Sequence, residues 1–378
     1  MKILLTSDAA GGVWTYALEL AHALYDHGVH VALATMGSAL SPQQRRDAAH
    51  LPNLQLLEST FKLEWMRDPW RDVGKAGEWL LKLEEEVRPD VVHLNGYVHA
   101  ALPWRAPTLV VAHSCVLSWW QAAKGCPASD SWEQYRDEVT GGLRAADIVA
   151  APSRAMLNAC IKHYGPLADT RVIYYGRKAG PFLYPTKKDR IILTAGRLWD
   201  QAKNVQALAA VAPQLDWPVC VAGEDKHPNG GQADAPNVRP LGRLSLEELE
   251  GWFRRACIYA LPARYEPFGI SALEAALAGC ALVLGDIPSL REIWADAAIF
   301  VPPDDHAALA SALKQLIADT HLRNRMGHRA QQWAMQYTPQ RMARSYLAVY
   351  RELVRRDAPM PEAARHSAPA PGYQPVYQ

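Results

Sequence analysis

Short, continuous apolar runs recur along this 378-residue chain, each followed by a stretch with helical spacing, and the whole alternation restarts once after a Gly/Pro-rich break. In the first half the runs are Ile3-Leu4-Leu5, Val29 to Ala34, Val91 to Leu94, Thr108 to Ala112 and Asp147 to Ala150. In the second they are Ile191 to Thr194, Pro218 to Ala222, Cys257 to Leu261 and Ala281 to Leu284. A strand buried on both faces shows no polar alternation, and strands that alternate with helices pair in parallel. Helices are expected from about Val13 to Asp26, from Ser153, and from Ser245 to Arg255. The break is Tyr175 to Pro181, which reads as a linker of solvated residues. The pattern predicts an α/β fold of two Rossmann-like, doubly wound domains, 1–176 and 177–337. Thr338-Pro339 supplies a capping hydroxyl and a proline at the first helical position, so a further helix is expected over 338–356, packing back on the first domain. The Pro- and Ala-rich residues 357–378 are predicted to be disordered.

Composition narrows the partners. Lys+Arg 40 against Asp+Glu 39 leaves a net charge of +1, without the basic excess of a dedicated nucleic-acid binder. The six cysteines form no CxxC pair and read as reduced core residues. The amino terminus has no signal-peptide apolar core, and Ala106 to Ala123, free of Asp, Glu, Lys and Arg, is broken by Pro107 and His113. These features predict a protein of the cytoplasm, with peripheral contact to the inner membrane left open.

Four constellations carry chemistry. The first is Tyr265-Glu266-Pro267-Phe268-Gly269-Ile270-Ser271-Ala272-Leu273-Glu274, after a strand and into a helix. Pro267 disfavours helix at Glu266, which places that residue on the loop and Glu274 inside the helix. Amides near Gly269, Ile270 and Ser271 then point out of a helix start, a ready anion site flanked by two acids. Either glutamate could instead simply complement the helix dipole. The second is Gly196-Arg197 with Lys203, also between strand and helix. Its cations can clamp a diphosphate, or lie solvated on the surface. The third is the Gly11-Gly12 turn after the first strand, open to close backbone approach or plain turn chemistry. It is not GxGxxG, which lowers the expectation of a nicotinamide enzyme. The fourth is His113 at a strand end, followed by Trp119-Trp120. The indoles suit either sugar stacking or the core, and His113 either chemistry or structural hydrogen bonding.

Over about residues 1 to 356 the chain resembles the retaining GT-B glycosyltransferases of family 4. The resemblance is carried, in order, by Gly11-Gly12, Asp90-Val91-Val92-His93, His113, Ala150-Ala151-Pro152-Ser153, Ile173-Tyr174-Tyr175-Gly176, Gly196-Arg197 with Lys203, Ala222-Gly223-Glu224, Leu241-Gly242-Arg243-Leu244 and the Glu-x7-Glu string. It implies two domains facing each other across a cleft, and transfer of a hexosyl group from a nucleotide-diphosphate sugar to a hydroxyl acceptor with retention of configuration. UDP-glucose is the first expectation for the donor and GDP-mannose the second. Arg197 and Lys203 match the diphosphate pair, Glu266 the contact to donor-sugar hydroxyls, and Glu274 the contact to ribose hydroxyls. Amides from Phe268 through Gly269 and Ile270 to Ser271 match phosphate and sugar contacts. Gly12 and His113 match positions facing phosphates and donor sugar, and Arg243-Leu244 the place of the base. The acceptor, a sugar, lipid-linked or small-molecule hydroxyl, is expected beside Trp119 and Trp120. Neither metal nor other cofactor is implied. The family's Asn-Gly-Val-Asp hinge reads Tyr175-Gly176-Arg177-Lys178 here. An epimerase, a sugar phosphorylase or a non-catalytic nucleotide-sugar binding subunit on the same fold are the competing readings.

Overall fold

The computed structural model describes residues 1–9, 11–184, 186–224 and 235–357. The predicted disordered tail, apart from Asp357 at the end of the last helix, lies outside the described residues. The first sheet has seven strands: β1 (Lys2–Asp8), β2 (His30–Met36), β3 (Leu54–Glu58), β4 (Val91–Leu94), β5 (Thr108–Val111), β6 (Ile148–Ala151) and β7 (Thr170–Val172). Their order is β3-β2-β1-β4-β5-β6-β7, and every pairing is parallel. The second sheet has six: β8 (Asp189–Ala195), β9 (Val219–Ala222), β10 (Arg239–Gly242), β11 (Ala256–Leu261), β12 (Ala281–Gly285) and β13 (Ile299–Val301). Its order is β10-β9-β8-β11-β12-β13, again parallel throughout. Helices cover both sheets, so β4, β5, β6 and β12 are buried along their whole length, which is why they read as unbroken apolar runs.

Strand order reverses between β1 and β4 in one sheet and between β8 and β11 in the other. Crevices at such switch points, at the carboxyl ends of the strands, are where ligands bind in open α/β sheets. Helix starts around them are fixed by local chemistry. Ser153 accepts from the Met156 amide to cap Arg154–Tyr164, and Ser245 with Glu248 forms a capping box on Leu246–Arg255. The helix Pro339–Asp357 returns to the first domain and packs on the helix Gly12–Tyr25 and on β4. It buries Tyr346 and Tyr350, and the Tyr350 hydroxyl lies 2.7 Å from His93 Nδ1. Arg171 ties β7 to the same helix through Glu352 at 2.9 Å. The chain therefore crosses between the domains twice, and the crossings touch where the Arg177 amide donates to the Tyr337 carbonyl at 3.0 Å. The cysteines are all free thiols, four of them buried, but Cys126 is exposed and does not belong to the core. Among the described residues no helix is long and apolar enough to cross a membrane.

Candidate active site

Two helix starts from different domains face each other. Gly11 (φ 75°) precedes the helix Gly12–Tyr25 after β1, and Gly269 (φ 92°) precedes Ile270–Leu277 after β11. A Cβ added to Gly12 would lie 3.3 Å from Ile270 Cδ1, so only bare backbone fits at this approach without displacing the isoleucine. Both helix starts carry the positive end of a dipole. Phe268 contributes backbone only: its ring is buried, 4.9 Å from the Tyr175 ring. The Ser271 hydroxyl accepts from Tyr259 at 2.7 Å.

Glu266 and Lys203 come together from the two crevice loops of the second sheet. Lys203 Nζ donates to Glu266 Oε2 at 2.5 Å, and the Gly269 amide donates to Oε1 at 3.0 Å. Both carboxylate oxygens are thus engaged, and the pair is largely buried. Tyr265, just before, projects into the first domain, where its hydroxyl accepts from the Cys115 amide at 3.0 Å. Arg197 is half exposed, its guanidinium 4.7 Å from the Trp199 ring and 3.0 Å from Asp200 Oδ2. Asp200 is buried, and its Oδ1 accepts from the indole of Trp119 across the domains at 2.8 Å. Trp119 therefore belongs to the site through its polar edge, one residue away from Arg197. Trp120 turns instead toward Trp132, ring centres 6.3 Å apart. The sequence motif contained Asp200 but gave it no role; its signal is an acid between the two cations.

Arg177 overturns the reading of the linker as solvated. Lys178 is exposed, but Arg177 is 6% exposed and sits among three carboxylates. Its Nε donates to Glu274 Oε1 at 2.8 Å, its Nη1 contacts Glu19 of the helix Gly12–Tyr25, and its Nη2 is 3.7 Å from Glu250. Burial raises the Glu274 carboxyl above its ordinary range, and the nearby Glu250 and Glu19 add to this while Arg177 opposes it. Burial works against the charge of Arg177, but Glu274 and Glu19 outweigh it and its proton is held more tightly than usual.

His113 lies two residues beyond β5 with both ring nitrogens occupied. Nε2 lies 2.7 Å from Asn95 Oδ1, and Nδ1 contacts the Tyr175 hydroxyl. A carbonyl oxygen can only accept, so Nε2 carries the proton and Nδ1 accepts from Tyr175. Asn95 is itself fixed by its Nδ2 donating to the Thr6 carbonyl at 2.7 Å. Burial holds His113 at about 3, hence neutral at physiological pH. Tyr175 and Asn95 escaped the sequence reading; the Tyr at the hinge position was the available signal. Arg243 is mostly exposed and pairs with Glu224 at 3.0 Å, while Leu244 packs partly on the core. Near the first switch point, Glu64 is buried and accepts from the Tyr97 amide at 2.9 Å; burial raises its carboxyl to about 7.

Comparison with known proteins follows this division into halves. The family model described as Glycosyltransferase Family 4 matches residues 10–178, and that described as Glycosyl transferases group 1 matches residues 182–333. The chain is 34% identical over 397 residues to a D-inositol 3-phosphate glycosyltransferase of Paenarthrobacter aurescens, covering 91% of this chain and 94% of that protein. It is 29% identical over 290 residues to a glycogen synthase of Mycobacterium tuberculosis, covering 68% of each. Among solved structures, sucrose-phosphate synthase from Thermosynechococcus elongatus superposes with a TM-score of 0.77 at 20% identity, over 94% of this chain and 100% of that one. Anabaena Alr3699/HepE in complex with UDP-glucose gives 0.70 at 18%, over 93% and 100%.

Proposed function

The chain belongs to the group 1 glycosyl transferases and is a glycosyltransferase of the GT-B fold, and from that premise we propose that it moves a hexosyl group from a nucleotide-diphosphate sugar to a hydroxyl acceptor with retention of configuration. The observation that carries this reading is the convergence, at two switch points, of the Gly12 and Ile270 helix starts with the Lys203–Glu266 pair. The helix starts, Arg197 and Lys203 bring positive charge to one place, which suits a diphosphate leaving group. No metal or other cofactor is needed in this scheme. UDP-glucose is the first donor to test and GDP-mannose the second; the Anabaena neighbour was solved with UDP-glucose. Glu274 would take the ribose hydroxyls, and Arg243-Leu244 would flank the base. The acceptor would enter beside Trp119 and Trp120, from a sugar, a lipid-linked or a small-molecule hydroxyl, in the cytoplasm.

Glu266 suits positioning rather than attack. Lys203 and the Gly269 amide already hold its two oxygens, so a covalent glycosyl-enzyme would have to break both contacts. Retention then runs on one face of the sugar: the bond to the diphosphate breaks, the acceptor oxygen bonds the anomeric carbon, and the departing phosphate oxygen takes the acceptor proton. Arg197, Lys203 and the amides at Gly269 to Ser271 meet the growing charge. His113, neutral and fixed by Asn95 and Tyr175, forms the wall beside the donor sugar.

The test is a donor and acceptor panel with NMR of the product. An α-linked product from an α-linked donor, with no glycosyl adduct on Glu266 of the wild-type protein by mass spectrometry, is expected. A β-linked product overturns retention, and donor turnover without acceptor overturns transfer in favour of epimerisation.

A further inference from the structure

Arg177 stands at the place where the hinge departs from the family pattern, yet it is one of the most constrained side chains in the molecule. Its amide is tied to the Tyr337 carbonyl at 3.0 Å, and its guanidinium lies 5.4 Å from the centre of the Phe182 ring. From that anchored base the planar fork reaches three elements: Glu274 in Ile270–Leu277, Glu250 in Leu246–Arg255, and Glu19 in Gly12–Tyr25. Two belong to the donor domain and one to the other. We propose that Arg177 is a positioning residue for the nucleotide end of the site, aiming the Glu274 carboxyl and tying that aim to the docking of the two domains through Glu19. The proposal rests on the reading of Glu274 as the ribose contact.

The electrostatics follow from counting. One buried cation faces three carboxylates, so Arg177 is the group that favours the ionised form of Glu274 against the low dielectric and the two like charges. The charged or titratable groups facing Glu274 are Arg177, Glu250, Glu19 and Tyr259. Arginine stays protonated across the physiological range, so it supplies this charge at any working pH, and its fork can serve two carboxylates together. A carboxylate accepts from two vicinal hydroxyls; a protonated acid loses part of that capacity. Loss of Arg177 therefore removes the charge that opposes the upward pull of burial on the Glu274 carboxyl and makes the contact more sensitive to pH. Loss of the fork alone, with charge retained, leaves the ionisation but uncouples Glu274 from Glu19.

The experiment is calorimetric titration of the full chain with UDP, GDP and ADP between about pH 6 and 8.5, for wild type, Arg177→Met and Arg177→Lys. Wild-type affinity for the nucleotide it binds is expected to vary less with pH than that of Arg177→Met. Arg177→Met is expected to bind at least about tenfold more weakly near pH 6 and to recover as pH rises; Arg177→Lys is expected to be several-fold weaker with the wild-type pH profile. A wild-type affinity in Arg177→Met, or a loss equal at every pH, overturns the proposal. Where Arg177→Met does not fold, Arg177→Lys decides: unchanged affinity overturns the proposal, and weakened affinity with the wild-type pH profile supports it. Failure of wild type to bind any of the three nucleotides overturns instead the donor reading on which the proposal rests.

Discussion

Replacing Trp119 with phenylalanine keeps an aromatic ring in place and removes one hydrogen bond. That bond runs 2.8 Å from the indole of the first domain to Asp200 of the second, whose side chain is 4% exposed. A hydrogen bond to a charged group contributes about 1.5–3 kcal/mol. Asp200 keeps two donors, Arg197 at 3.0 Å and the Ala202 amide at 3.0 Å, so it is not stranded. The bond joins two domains that each retain a core, so its loss falls on docking rather than on unfolding. If the docked arrangement is the reactive one, the loss enters kcat/KM directly. At 1.36 kcal/mol per factor of ten this predicts a decrease of about 10- to 150-fold. Steady-state kinetics with saturating donor and varied acceptor, and the reverse, measure it, with a thermal melt as control. A kcat/KM within about threefold of wild type, at an unchanged melting temperature, refutes the reasoning and returns Trp119 to plain packing.

Two further outcomes follow from the site. Lys203→Ala leaves the Glu266 carboxylate its contact with the Gly269 amide and removes a charge from the diphosphate region; turnover should fall about 10²–10³-fold, and in Arg197→Ala by at least about tenfold, with folding intact. Near-normal rates in both would remove these cations from the mechanism. Glu64, raised from the ordinary 4.5 to about 7, holds its proton more tightly folded than unfolded, so the stability this gives is full below about pH 4.5 and lost as pH rises through 7, up to about 3 kcal/mol. Glu64→Gln keeps an oxygen for the Tyr97 amide and should therefore gain on wild type between about pH 5 and 8.5; a stability difference independent of pH would contradict this.

The fold was legible where burial is two-sided. Every interior strand of both sheets appears in the sequence as an apolar run, within three residues of its ends. The strands not recognised as such are β3, β7, β10 and β13, which are the four edges. An edge strand is short and half solvated, so it carries neither the run nor a long alternation: β7 is Thr170–Val172, and β10 includes a proline and a glycine. The site divides the same way. Residues on loops between strand and helix, such as Gly12, Lys203 and Glu266, stand in strings whose spacing places them at the sheet edge. Contacts made between distant segments left no local trace. Asp200 under Trp119, Asn95 beside His113 and Arg177 among its glutamates each depend on a partner more than fifteen residues away. Linker composition misled at Arg177, because Gly and Pro describe the backbone and say nothing of where one long side chain goes.

The returning helix Pro339–Asp357 also bears on how the protein is made. The sheet β1 to β7 leaves the ribosome long before that helix does, and domains ordinarily fold in the order in which they emerge. Here the flank formed by Tyr16 and His93 waits for Tyr346 and Tyr350 of that helix. The first domain to be synthesised is thus the last to be sealed, and it passes through the translation of its neighbour with an aromatic face still open.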